Sequence, residues 1–196
     1  LLPQELPHLV NVQLAALSLP AFDIGGDYYD FIKIDDDHLG IAIADVSGKG
    51  IGGAMMMSVC QGVLRTRAQQ ETSPANMLSE LNRVLSNNLA EDMFITMLYM
   101  VLNTKTRELK FARAGHESPL FCRGEHGIRH PEPLDSPGIA IGLADAEVFD
   151  AVISDRIVQL EAGDSIILYT DGITEAHNDQ NEEWGLETLV DLIRTS

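Results

Sequence analysis

Two helical stretches follow one another in this chain with no strand between them. Residues 54–69 read as one helix, and TSPANMLSELNRVLSNNL (72–89) as a second. In the second, Ser73 is a good N-cap and Pro74 a good first helical residue. Its Met77, Leu78, Leu81, Val84 and Leu85 recur at helical spacing and predict a core stripe. In the first, Ala54, Met57, Ser58, Gln61, Val63 and Leu64 form no clean stripe, which predicts cover on more than one side. A nucleotide-binding α/β fold alternates strand and helix, so a helical pair in this place excludes it. Strands lie on either side of the pair. Residues 11–19 read as a strand ended by Pro20. Residues 28–34 and 38–46 read as an antiparallel hairpin turned at DDDH (35–38). After the helices come strands at 93–103 and 106–114, joined by a turn around Asn103, Thr104 and Lys105. Shorter strands are expected at 118–122 and within 148–160, then a strand at 164–172 and a last helix at 184–194. Strands grouped in hairpins predict an α+β layered domain.

Composition narrows the function. A length of 196 residues suits one domain with a sizeable core. With 45% hydrophobic and 22% charged residues, the chain is ordinary globular material. The net charge of −17, with only 13 Lys and Arg, speaks against nucleic-acid binding by phosphate neutralisation. The acids serve a solvated surface, or some of them gather about a cation; both readings stay open. Cys60 and Cys122 lie in apolar surroundings, are too few for a disulfide framework and match no zinc spacing. A reduced, cytoplasmic compartment is expected. No apolar run approaches 18 residues, so no membrane insertion is expected. The start, LLPQELPHLV, lacks the pattern of a signal peptide and reads as if cut from a longer chain.

Three motifs place an aspartate beside glycine at the edge of an apolar strand: GGDYYD (25–30), ADVSGKG (44–50) and YTDGITEA (169–176). Their acids are Asp27, Asp45 and Asp171. Any single Asp-Gly pair is most simply a turn. Three carboxylates that converge repel unless a cation neutralises them, and oxygen-only ligands suit Mg²⁺ or Mn²⁺. Gly48, Gly50 and Gly53 also satisfy G-x-G-x-x-G, but the helix after them leads to a second helix rather than to a parallel strand. Lys49 is not followed by Ser or Thr, so a P-loop fails as well. The glycines are read instead as room for a sharp turn beside a metal. Lys49 reads as a solvated loop lysine.

Taken together, these motifs resemble the SpoIIE/RsbU branch of the metal-dependent protein phosphatases, the protein phosphatase 2C-like (PPM) family. The resemblance runs nearly end to end. LLP at the start, PA (20–21), GGDYYD, ADVSGKG, FITMLYMVLN, ARAGHESPL (112–120), GIAIGL (138–143), LEAGDSIILYTDGITEAHN (160–178) and WG (184–185) fall in family order.

The resemblance implies a layered α-β-β-α sandwich, two antiparallel sheets flanked by helices, with two Mg²⁺ or Mn²⁺ ions at one end. It implies that Asp45 bridges the two ions, that the backbone carbonyl of Val46 adds a ligand, and that Asp27 serves one ion and Asp171 the other. The three aspartates would act through metal-bound water to hydrolyse a phosphoserine or phosphothreonine. The implied substrate is a regulatory protein, a STAS-domain anti-sigma-factor antagonist, in bacterial signalling. An upstream receiver or sensor domain in the same chain, as in two-component systems, is also implied, and a homodimer is left open. Residues 1–196 would form a single phosphatase domain, the C-terminal output domain of a longer regulatory protein.

Two departures from the family pattern matter. The Asp-Asp-x-Thr motif of the last strand is not present before Ser196, so the domain reads as lacking its last C-terminal strand or strands. The place two residues after the bridging aspartate, histidine in eukaryotic relatives, is Ser47 here. The rival function is a pseudophosphatase adaptor that binds a regulatory partner without hydrolysis. His116 of AGHESP reads as a structural hydrogen-bonding residue rather than a proton donor. Asp30 reads equally as a supporting acid or a turn residue, and Asp164 as a turn acid.

Overall fold

The structure is a computed structural model that describes residues 2–3, 5–19, 26–48, 50–90, 92–124 and 130–195, with Ile51 described by its backbone only. Lys49 and the PA pair at 20–21 lie outside the described residues. The chain divides into two compact units. The first comprises residues 1–116 and 136–159; the second comprises residues 117–135 and 160–196.

The first unit is built on an antiparallel sheet. The hairpin forms as expected, from β1 (Tyr28–Lys33) and β2 (His38–Val46). Asp35 closes its turn by accepting from the backbone N–H of Asp37 and of His38, both at 2.8 Å. Two helices follow, α1 (Ile51–Arg67) and α2 (Pro74–Leu85). The chain then re-enters the sheet as β3 (Ile95–Asn103) and β4 (Glu108–Ala114). After residues 117–135, which belong to the second unit, come the short helix α3 (Ala146–Val152) and β7 (Arg156–Gln159). The sheet order is β1-β2-β3-β4-β7, antiparallel throughout.

Alternation decides what each strand residue meets. On one face, Val46 pairs with Ile95, Ala44 with Met97 and Ala42 with Tyr99. These buried residues form one cluster with Met57, Cys60 and Leu64 of α1 and with Met77, Leu78, Leu81 and Leu85 of α2. The α1 expectation is corrected here. Met57, Cys60 and Leu64 make a single inward stripe, while Met55 and Val59 are exposed. Helical spacing was present, but Cys60, omitted from the sequence pattern, completes it. In α2 Ser73 caps as expected, accepting from Asn76 N–H at 3.2 Å. Val84 faces outward instead, 38% exposed, and Asn82 takes the interior place. Asn82 is satisfied there, donating to Ala144 O at 3.1 Å and accepting from Gly142 N–H at 2.9 Å.

The second unit carries a smaller antiparallel sheet, ordered β6-β5-β8. Its strands are β5 (Leu120–Cys122), β6 (Glu132–Pro133) and β8 (Ser165–Ile167). The one-turn helix α4 (Asp171–Thr174) and the helix α5 (Gly185–Thr195) follow. Leu120, Cys122, Tyr169, Leu189 and Ile193 are its core.

The α+β class with two antiparallel sheets and helices is therefore the observed one, and the helical pair between antiparallel neighbours excludes the dinucleotide fold. Two strand expectations fail. Residues 11–19 form no strand: Leu17 and Leu19 are 80% and 81% exposed, and among the described residues no ladder partner fixes the segment. The expected strand over 164–172 stops at Ile167, and Asp171 opens a helix instead. The structure describes no helix long and apolar enough to cross a membrane.

Candidate metal centre

Asp45 is the next-to-last residue of β2 and pairs with Thr96 of β3. Its neighbours Ala44 and Val46 point into the helix-covered core, so alternation turns the Asp45 carboxylate to the opposite face. Asp27 lies one residue before β1, whose first pair is Tyr28 with Ala44. The next position of that register stands opposite Asp45. Both aspartates thus reach the same end of the same hairpin, where Asp45 is half-buried and Asp27 exposed.

Gly26 shows what that end is shaped for. A Cβ built on Gly26 would lie 2.8 Å from Asp45 Oδ1 and 2.9 Å from Val46 O. The carboxylate oxygen and the backbone oxygen therefore border one small volume, which a side chain at residue 26 would fill. The two nearest atoms are both oxygens, the ligand type that hard cations such as Mg²⁺ and Mn²⁺ take, with Val46 N next at 3.4 Å.

Asp171 belongs to the second unit, where it is exposed at the start of α4. Among the described residues, no group of three or more His, Cys, Asp or Glu side chains is assembled as a metal site. Ser47, in the histidine position of eukaryotic relatives, is occupied structurally: its Oγ accepts from Phe94 N–H at 2.8 Å and its N–H donates to Phe94 O at 3.0 Å. That exchange pins the chain leaving Asp45 to the start of β3.

Asp30 is neither a turn acid nor a neighbour of Asp45. It sits within β1 on the helix side, 1% exposed. Arg65 of α1 grips it with two bonds, Nε to Oδ2 at 2.7 Å and Nη2 to Oδ1 at 3.0 Å. Tyr28 Oη donates to Oδ2 at 2.8 Å and Phe31 N–H to Oδ1 at 3.0 Å. Burial, then the Asp30 charge, pushes the Tyr28 hydroxyl well above the usual tyrosine range. Arg65 is held further in its charged form, first by its hydrogen bond to Asp30. The tie joins α1 to β1 across 35 residues, a spacing that no local sequence pattern reveals.

His116 is buried at 3% exposure with its Nδ1 2.9 Å from Thr96 Oγ1. Thr96 was not singled out in the sequence; only the register with Asp45 marks it. Asp164 is a turn acid as expected and does more. It accepts from Glu161 N–H and Gly124 N–H, each at 2.9 Å, fastening the ends of β5 and β8.

Comparison with known proteins gives a consistent picture. The family described as Stage II sporulation protein E (SpoIIE) matches residues 35–196. The phosphoserine phosphatase RsbU of Bacillus subtilis (strain 168) is 33% identical over 196 residues, with 97% of this chain and 56% of that protein covered. The chain thus spans about half the length of that relative. Among solved structures, the SiaA-PP2C domain of Pseudomonas aeruginosa aligns with a TM-score of 0.73 at 25% identity, covering 90% of this chain and 68% of that one. A crystal structure of RsbX in complex with magnesium aligns with a TM-score of 0.60 at 16% identity, covering 90% and 85%, which is a likeness of fold.

Proposed function

The chain belongs to the SpoIIE family, and from that membership we propose that it is a metal-dependent serine/threonine protein phosphatase of bacterial signalling. The observation that carries the reading is the oxygen-lined space at Gly26, bordered by Asp45 Oδ1 and Val46 O. Asp45, the Val46 carbonyl and Asp27 would hold a cation there, and Asp171 of the second unit is a further ligand proposed from the family likeness alone. Two Mg²⁺ or Mn²⁺ ions, when bound, supply Lewis-acid charge that acidifies water and neutralises the phosphoryl oxygens.

The chain's own residues prepare that site. The exchange between Ser47 and Phe94 holds the backbone that presents Val46 O. Gly26 leaves open the volume between the oxygens. Hairpin register sets Asp27 opposite Asp45 at the same strand end, so both carboxylates would be within reach of a cation held there. The substrate is a phosphorylated regulatory protein, a STAS-type anti-sigma-factor antagonist. Likeness to a phosphoserine phosphatase, RsbU, supports phosphoserine as the group removed.

The test is turnover of a phosphoserine-bearing STAS protein with Mn²⁺ and with EDTA, for the parent chain, Asp45→Asn and Asp171→Asn. The expected result is Mn²⁺-dependent release of phosphate, reduced about a thousandfold in Asp45→Asn, on the order of 4 kcal/mol of barrier. A parent chain that binds the phosphoprotein but releases no phosphate at any Mn²⁺ concentration is an adaptor, and the enzymatic reading falls.

A further inference from the structure

We propose that Thr96 and His116 are positioning residues for Asp45, a hydrogen-bonded pair that sets the strand end from which Asp45 offers its carboxylate to a divalent cation. This rests on the metal-binding reading above. Asp45 and Thr96 are directly paired across β2 and β3, so their side chains emerge side by side on one face. Thr96 Oγ1 approaches two atoms: His116 Nδ1 at 2.9 Å and the backbone oxygen of Asp45 at 3.4 Å. A hydroxyl has one proton to give. Both contacts are served together when His116 Nδ1–H donates to Thr96 and Thr96 O–H is aimed at Asp45 O. That arrangement fixes the imidazole tautomer. The outer contact is long for an O–H···O bond, so it orients the Asp45 peptide rather than binding it strongly.

The pair is built, not incidental. β4 ends at Ala114, and Gly115 turns the chain with φ of +68°. A Cβ there would lie 2.9 Å from Ala140 N, so a side chain has neither the backbone conformation nor the room. The turn delivers His116 into the interior beside Thr96. Arg113 then clamps it, donating from Nη1 to His116 O at 2.7 Å and from Nε to Ser136 O at 3.1 Å. Burying an imidazole carries a desolvation cost that an apolar side chain would avoid, and the Thr96 hydrogen bond offsets it. All of these residues, Asp45 included, belong to the first unit. The glycine and histidine of the AGH motif therefore have one shared consequence at Asp45. Ligand-orienting partners of this kind change metal affinity by roughly tenfold to a hundredfold.

The experiment is calorimetric titration of the whole chain with MnCl₂, without substrate, alongside thermal melting without metal. Thr96→Val removes the hydroxyl at constant shape, and Thr96→Ser keeps it. His116→Ala removes the donor, and His116→Asn keeps a donor near the Nδ1 position. Thr96→Val and His116→Ala are expected to weaken Mn²⁺ binding by about tenfold or more, with Thr96→Ser and His116→Asn within about threefold of the parent. The double variant Thr96→Val/His116→Ala is expected to bind no more weakly than the worse single one, as members of one unit do. If His116→Ala does not fold, the Thr96 pair decides. The proposal is overturned if Thr96→Val matches the parent while Asp45→Asn loses binding, or if Thr96→Ser is as weak as Thr96→Val. A parent chain that binds no Mn²⁺ overturns both this proposal and the metal-dependent reading.

Discussion

Asp30 and Asp45 lie on paired strands of one sheet and point to opposite sides of it. Asp30 faces α1, where Arg65, Tyr28 and the Phe31 N–H consume its lone pairs. Asp45 faces away from that helix, half-buried at the end of its strand beside a glycine that keeps space open. The same carboxylate is a structural clamp in one place and a candidate ligand in the other. Strand alternation and the presence of a guanidinium on the covering helix α1 make the difference.

The comparison breaks most sharply on stability. Arg65→Ala leaves Asp30 buried and charged without its main partner, and is expected to cost about 3 kcal/mol, the lower end for a broken buried pair because Arg65 is itself half exposed. Asp45→Asn, at a half-buried strand end, is expected to cost less than about 1 kcal/mol without metal. Urea unfolding of both variants without metal checks the pair. Equal losses would erase the distinction between clamp and ligand.

A second contrast lies within α2, the other helix packed on that sheet face. Leu81 is fully buried, so Leu81→Ala is expected to cost about 2–5 kcal/mol. Val84, on the outward side of the same helix, is expected to cost under about 0.5 kcal/mol as Val84→Ala. Denaturant midpoints at constant slope report both. Near-equal costs would mean that the sequence stripe, which included Val84, describes the packing better than the structure does.

The smallest effect is alkaline. A tyrosine in an unfolded chain titrates at about 10, and burial raises Tyr28 above that in the folded state. A raised folded value gives stability that is complete below about pH 10 and is lost as pH rises beyond it toward the folded value. Tyr28→Phe is therefore expected to flatten the decline of unfolding free energy above about pH 10 and to leave it unchanged near pH 8, measured by urea titration at each pH. An unchanged slope would place the alkaline loss on other groups, Tyr99 first, whose hydroxyl burial also pushes upward.

Much of the fold was legible because short-range rules govern it. The DDDH turn, the Ser73 cap and the Met77, Leu78, Leu81, Val84 and Leu85 stripe each depend on residues a few positions apart, and each appears as read except that Val84 faces outward. Residues 11–19 show where this fails. An alternating apolar segment is a strand only when a neighbouring strand accepts its ladder, and that is a property of the assembled sheet. Asp171 shows a second limit. Its apolar run continues past Ile167, yet the chain turns helical at the acid itself.

For the candidate site, the sequence determined the chemistry: acids beside glycines, with the family's ordered motifs around them. Tertiary structure decided which acid does what. It assigned Asp30 to Arg65, 35 residues away, and set Asp45 across from Thr96, 51 residues away. It also gave the AGH histidine a hydroxyl partner 20 residues back. The physical reason is that side-chain hydrogen bonds and ion pairs form across strands and between sheet and helix, where proximity follows register and packing rather than position along the chain.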